Sequence, residues 1–339
     1  YLELPKADIT NKAVFVEMLR LTNTNIDVKS YKDKPKSIEP KLAETTSDTF
    51  TWPDFILEVK EIDLRNNHLS YVVNDAEVKK DVFNSNALLI NDFTLQAKGV
   101  FLKDKTAGIQ LNALHFKEQS GIHLKEFKVD LAANDQEIKL NELKLLLNNN
   151  RVAGNVSTTY TSLAKFIEDP ERASVALNLP NFQLDIRDAF RFNPDLRTNE
   201  SILALSRKYV RGSVNAAGSL SNLRVPKASV SWGNTRLDAV ASLKNITNPK
   251  ALSFGVTKFR GTTKKQDLLV FVDEAELGLD LPEDISLVGN ANGNRSNLAV
   301  NAELITSQGN AIAKGHWINE KGIDFSADVE IIEYKLNEL

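Results

Sequence analysis

The chain has 339 residues, with 42 Lys plus Arg against 45 Asp plus Glu, a formal net charge of −3 and no cysteine. Near-neutrality removes the basic footprint that displaces counterions from nucleic acid, so no nucleic-acid partner is expected. The lack of cysteine excludes disulfide scaffolds, thiolate nucleophiles and Cys-based zinc or iron–sulfur centres.

No apolar run approaches the roughly 20 residues that cross a bilayer as a helix, and no signal peptide opens the chain. It begins at Tyr1 and its last repeat stops in mid-pattern at Leu339, so it reads as a piece of a longer protein. Residues 1–28 read as two or three strands. From Lys29 to Thr51 the chain is rich in Lys, Pro, Ser, Thr and Glu, and it buries too little apolar area to order itself; 29–51 is expected to be a long flexible loop.

One phrase recurs through the first half: apolar, polar, apolar, two other residues, then apolar, polar, apolar. It occurs as Val14, Val16, Leu19, Leu21; Leu57, Val59, Ile62, Leu64; Leu88, Ile90, Phe93, Leu95; Ile109, Leu111, Leu114, Phe116; Ile122, Leu124, Phe127, Val129; and Ile138, Leu140, Leu143, Leu145. Each half has a period of two and reads as a strand with one buried face. The three-residue step would flip the second half to the other face unless a bulge absorbs the extra residue. Repeated bulges with the apolar side kept constant predict a curved sheet.

Asn-rich stretches such as Arg65–His68 and Asn148–Asn150 read as hairpin turns, because Asn tolerates positive φ. Helix signals are sparse: 161–168, stopped by Asp169-Pro170, and 199–209, with Asn199 or Thr198 available as a cap. The second half repeats a glycine unit, Gly212 to Gly218 before Ser221-Asn222-Leu223 and Gly289 to Gly293 before Ser296-Asn297-Leu298, with a degenerate copy from Gly154. Gly212 to Gly218 lacks the Lys-Ser/Thr of a phosphate loop and reads as a turn. Irregular spacing of the copies argues against a propeller or strict solenoid, so 1–339 is expected to be one continuous elongated body.

No catalytic constellation emerges, and no enzyme activity is expected. His68, His115, His123 and His316 lack ligand spacing, and the acidic stretch from Asp273 to Asp284 lacks the spacing and glycine of a calcium loop. Asn155, Asn199, Asn245 and Asn294 begin N-x-S/T triplets of the kind an Asn-rich chain produces by chance. Trp52, Trp232 and Trp317 have no interleaved basic cluster and read as core or groove anchors.

The segments GIHLKEFKVDLAANDQEIKLNELKLLLNNNRVAGNVSTTYTSLAKFIEDPE and VRGSVNAAGSLSNLRVPKASVSWGNTRLDAVASLKNITNPKALSFGV resemble the periplasmic part of TamB and AsmA-like proteins, in particular the TamB-like proteins of Bacteroidota. Leu2-Glu-Leu-Pro-Lys and Trp52-Pro-Asp-Phe resemble the same family's repeats. The likeness covers nearly the whole chain as pattern; the family's N-terminal inner-membrane helix and C-terminal conserved domain have no counterpart in it. What the resemblance implies is an all-β fold: an elongated, twisted, U-shaped antiparallel sheet, the β-taco, with a continuous hydrophobic groove and very few short helices. It further implies a cell-envelope protein of a Gram-negative bacterium, anchored in the inner membrane and spanning the periplasm. Its ligand would be phospholipid carried toward the outer membrane, and its partner a TamA-like outer-membrane barrel met through a region outside this chain. No cofactor is implied.

The residues placed in that groove are Phe55, Leu57, Val59, Ile62, Leu64, Phe93, Leu95, Leu111, Leu124, Phe127, Val129, Leu131, Ile138, Leu140, Leu143, Leu145, Val175, Leu177, Leu179, Leu184 and Ile186. The inner face of an ordinary β-sandwich would show the same alternation. A second reading is a scaffold or chaperone-like platform that offers sheet edges to outer-membrane strands by β-augmentation. A carbohydrate-active β-protein would need clustered aromatics and paired carboxylates, which a 7% aromatic content without such a cluster does not supply.

Overall fold

The computed structural model of the chain describes residues 2–3, 6–8, 10, 12–31, 50–277, 280–319 and 323–334. Strand after strand follows, interrupted by short helices, so the all-β expectation stands. The chain divides into two compact units, Tyr1–Asp169 with Arg187–Asp195, and Pro170–Ile186 with Leu196–Leu339.

The first unit contains β1 (Leu2–Glu3), β2 (Lys6–Asp8), β3 (Ala13–Thr22), β4 (Asn25–Ser30), β5 (Ile56–Val73), β6 (Ala87–Lys103), β7 (Thr106–Glu118), β8 (His123–Asn134), β9 (Glu137–Leu147) and β10 (Asn150–Thr159). From β5 to β10 each strand pairs antiparallel with the next, an open meander. The antiparallel expectation fails at one place: β3 and β4 lie end to end along β5 and pair with it in parallel. Arg65–His68, expected as a turn, lies inside β5. Asn66 there has φ +52, and Asn67 is buried at 1% exposure. The Asn67 side chain accepts from Thr24 N–H at 3.0 Å and donates to Leu21 O at 3.3 Å, so it splices the junction where β3 ends and β4 begins. Asn148 does turn as expected, with φ +51 between β9 and β10. The expected 29–51 loop is shorter at its start, because Lys29 and Ser30 close β4; its residues 32–49 lie outside the described ones.

Each of the six phrases carries an irregularity at its three-residue step. Asp92 (φ +54) separates Ile90 from Phe93, and Glu142 (φ +53) separates Leu140 from Leu143. The β7 register shifts between Leu111 and Leu114, and the β8 register between Leu124 and Glu126. In β3 and β5 the step residues Glu17 and Lys60 drop out of the pairing, level with Gly99 (φ +58) on β6. The bulges return both halves of each phrase to one side. That side holds the unit's core: Ala97, Leu111 and Val129 are buried, with Ile62, Leu95, Leu114, Phe127, Leu140 and Leu143 packed around them.

Short helices α1 (Leu163–Glu168) and α2 (Ala189–Phe192) belong to this unit. Ser162 caps α1 by accepting from Lys165 N–H at 3.2 Å, so the 161–168 helix expectation stands. In the second unit Asn199 caps α3 (Glu200–Leu205), accepting from Ile202 N–H at 3.0 Å. That helix ends four residues before the expected Tyr209.

The second unit's strands are β11 (Ser174–Leu184), β12 (Val210–Ser219), β13 (Asn222–Trp232), β14 (Thr235–Lys244), β15 (Ser253–Lys264), β16 (Asp284–Asn294), β17 (Asn297–Thr306), β18 (Gly309–Asn319) and β19 (Ile323–Tyr334). Each pairs antiparallel with its neighbour in sequence. Two further short helices, α4 (Lys265–Leu268) and α5 (Glu274–Leu277), lie between β15 and β16. Gly212–Gly218, expected as a turn, lies within β12; the second glycine unit, Gly289–Gly293, lies within β16. Pro180 and Pro226 fall at register shifts of β11 and β13, the positions where a missing N–H is tolerated.

Candidate functional site: two apolar sheet faces

Directly opposed residues on paired strands share a face, so the registers trace which side chains line each surface. In the first unit Leu21, Leu64, Leu95, Leu114, Phe127, Leu145 and Val152 stand in one row across β3 and β5–β10. Beside it runs Leu19, Ile62, Ala97, Leu111 and Val129. Val14, Leu57, Leu102, Ala107, Ala133 and Ile138 form a further row on the same face. The opposite face is polar and carries cross-strand ion pairs, including Lys103 with Glu58 at 2.8 Å and Lys117 with Asp92 at 2.8 Å. These pairs are exposed and screened by solvent, so they add little to stability; they keep that face wet.

One carboxylate of the polar face is different. Asp63 is 3% exposed and accepts from Arg65 at 2.7 Å, Gln96 at 3.1 Å and Arg20 at 3.2 Å. The Arg65 hydrogen bond holds its pKa below the ordinary value. It clamps β3, β5 and β6 from behind the apolar face.

In the second unit three rows run from β11 to β19. The first is Val175, Gly218, Leu223, Leu243, Phe254, Gly293, Leu298, Trp317 and Phe325. The second is Leu179, Val214, Ala228, Ala239, Phe259, Gly289, Ala302, Ala313 and Val329. The third is Phe182, Gly212, Val230, Leu237, Gly261, Leu287, Leu304, Ala311 and Ile331. Glycines here make room: a Cβ on Gly212 would sit 2.1 Å from Ser229 O and 2.8 Å from the Phe182 ring, and one on Gly289 2.2 Å from Asn301 O.

A corner of this unit closes on Asp267, which is 1% exposed. Asp267 pairs with Lys208 and accepts from Asn234 N–H at 2.6 Å and Thr235 Oγ1 at 3.2 Å. Burial pushes its pKa up, but Lys208 and the two hydrogen bonds outweigh that and hold it low. Beside it the buried Trp232 donates to Leu205 O at 2.8 Å and meets the Phe271 ring at 5.5 Å.

Of the residues placed in a groove from sequence, Val59, Leu111, Leu124 and Val129 are buried, Phe55 is 44% exposed, and the others are half-buried. Two lie outside the strands: Phe55 in a bend before β5, and Ile186 in a 3-10 turn after β11. Phe93 stands opposite Asn67. Sequence patterning missed these rows, whose signal was a small residue two positions from a branched aliphatic one, as in Gly212 and Val214, Ala228 and Val230, and Ala302 and Leu304. It also missed Asp63 and Asp267, which have no local signature.

The surface also carries open hollows. One of about 600 Å³ sits at the Gly99 bulge between Phe15 and Phe101, flanked by the Glu17–Lys60 and Glu58–Lys103 pairs. Among the described residues no group of three or more His, Asp or Glu is placed to hold a metal ion, and no helix is long and apolar enough to cross a membrane. Comparison with protein-family models, curated proteins and solved structures finds no match.

Proposed function

We propose that this chain is a segment of a bridge-like lipid transporter of the TamB and AsmA-like type, and that its apolar sheet faces carry the acyl tails of phospholipid. A single observation supports the reading: rows made of apolar residues and glycine run across strand after strand, and most of these residues are only half-buried. A sealed sandwich would bury such residues almost completely. A diacyl phospholipid has on the order of 30 methylenes at about 0.8 kcal/mol each, so its tails cross water only at a cost of roughly 20 kcal/mol. An apolar face that covers the tails throughout lowers that barrier, and the head group stays in water. No nucleophile or acid–base pair is needed for such a task. The protein would act in the periplasm between the two membranes.

The test is organic extraction of the purified chain followed by mass spectrometry. Phospholipid well above a matched control is the expected result. A folded protein that yields none, and that takes up none from vesicles labelled in the acyl chain, overturns the reading.

A further inference from the structure

We infer that the polar face of β12–β15 docks on an anionic lipid surface. These strands carry Arg224, Lys227, Lys244, Lys258 and Arg260, all exposed. Each stands one residue from a member of the apolar rows: Arg224 from Leu223, Lys227 from Ala228, Lys244 from Leu243, and Lys258 and Arg260 from Phe259. Alternation therefore turns all five to the opposite face. Among the described residues none of the five makes an ion pair. Arg211 and Arg236 stand on the same face. Asp238, the one carboxylate in the four strands, accepts from Arg236 at 2.8 Å and is taken up there. The polar face of the first unit differs, because acids match its lysines, as Glu58 does Lys103 and Glu126 does Lys144, both at 2.8 Å.

The chemistry of this face selects the occupant. The three aromatic residues of the four strands, Trp232, Phe254 and Phe259, belong to the apolar side. Bases of a single-stranded nucleic acid therefore find nothing to stack on. A specific protein interface is built on buried aromatic anchors with charge depleted at its centre, and this face has the reverse composition. An anionic bilayer needs no anchor, since it attracts each Lys or Arg near its surface and the attractions accumulate. In the middle of the face lies an open hollow of about 780 Å³, lined by Ser219, Arg224, Ser242 and Thr257 among others. The Thr257 hydroxyl donates to Val240 O at 3.3 Å and that of Ser242 to Gly255 O at 3.5 Å, long bonds that a phosphate oxygen can replace. A lipid phosphate seated there meets the Arg224 guanidinium in the geometry that favours paired hydrogen bonds. The inference does not rest on the lipid-carrying reading, because acyl tails on the opposite face bind whatever the charge of the head group.

The experiment is co-sedimentation of the full chain with vesicles of phosphatidylcholine alone and of phosphatidylcholine with about one third phosphatidylserine. Inorganic phosphate, poly-glutamate and a single-stranded oligonucleotide serve as competitors. Binding to the anionic vesicles is expected to be roughly tenfold or more tighter than to the neutral ones, and to be lost at about 0.5 M salt. Millimolar inorganic phosphate leaves it in place, because a single ion does not replace a surface. Lys227→Glu together with Lys258→Glu weakens binding roughly thirtyfold or more, and Lys227→Gln with Lys258→Gln weakens it less. The control pair Lys98→Glu with Lys125→Glu, equally exposed on β6 and β8 of the first unit, changes it by less than about threefold. Thermal unfolding verifies that the variants fold, and the salt dependence of the unaltered chain tests the same point without substitution. Equal binding to neutral and anionic vesicles would overturn the proposal by giving attachment to the apolar faces. Equal weakening by the control pair, displacement by inorganic phosphate, absence of binding, or preference for poly-glutamate or the oligonucleotide over the anionic vesicles would overturn it as well.

Discussion

The two units solve one problem with different side chains. In the first, the apolar face is built from Leu, Ile, Val and Phe, and its centre closes into a buried cluster around Ala97, Leu111 and Val129. In the second, glycine and alanine interrupt the large residues along each row, and exposure remains high, with Leu237 at 44% and Leu287 at 36%. Large residues on adjacent strands fill the space above the sheet and seal its middle. Small ones leave the backbone close to the surface, so aromatics lie over glycines, as Phe182 does over Gly212 and Phe254 near Gly293. A period-two pattern therefore defines a face but not its depth. Depth is set by side-chain volume.

That contrast can be broken by placing charge in each unit. Leu111→Asp puts a carboxylate into the buried cluster, with an expected loss of about 3–5 kcal/mol, comparable to an uncompensated buried charge. Leu237→Asp on the open face of the second unit costs about 1 kcal/mol or less. Urea unfolding of the two variants measures both; equal losses would erase the distinction between a closed and an open face.

Glycines sharpen it next. Gly289→Val drives a side chain into the Asn301 carbonyl, and roughly 2–3 kcal/mol of destabilisation is expected. Gly99→Ala meets open space and costs only the left-handed backbone conformation, about 1 kcal/mol. If thermal scans rank the two variants the other way, space is not what the second unit's glycines provide.

Acid should destabilise both units, because a buried carboxylate with a depressed pKa is found in each, Asp63 in the first and Asp267 in the second. The ordinary value is 3.8, so the stability they contribute is complete well above that pH. It is lost as pH falls through their lower folded values. Asp63→Asn should flatten the acid limb of the first unit alone, as read by amide exchange at pH 5 and pH 3; a uniform change in both units would contradict the assignment. At half-buried positions the effect on stability is expected to be modest and the effect on transfer large. Leu140→Asp and Leu177→Glu should retain the fold with losses of about 1–2 kcal/mol, yet abolish transfer of fluorescent phospholipid between vesicles. Variants that transfer lipid normally would remove the apolar faces from the function.

Much of the first unit was legible from spacing alone. The phrase apolar, polar, apolar with a three-residue step demands a bulge, and Asp92, Glu142 and Gly99 supply positive φ at or beside those steps. Caps at Ser162 and Asn199 were equally local. Residues read as turns from composition were not: Asn66 and Asn67 sit inside β5, where one bends the strand and the other splices two of its neighbours. Gly212–Gly218 was misread for the same reason, since glycine serves a close approach of strands as well as a turn.

Sequence by itself determined the all-β class, the period of each strand and the places where strands bend, because backbone sterics and side-chain alternation act over a few residues. Tertiary structure alone decided the parallel pairing of β3 and β4 with β5, the burial of Asp63 and Asp267, and how far each apolar face is closed. Those depend on which distant residues stand opposite one another, and local periodicity carries no record of that register.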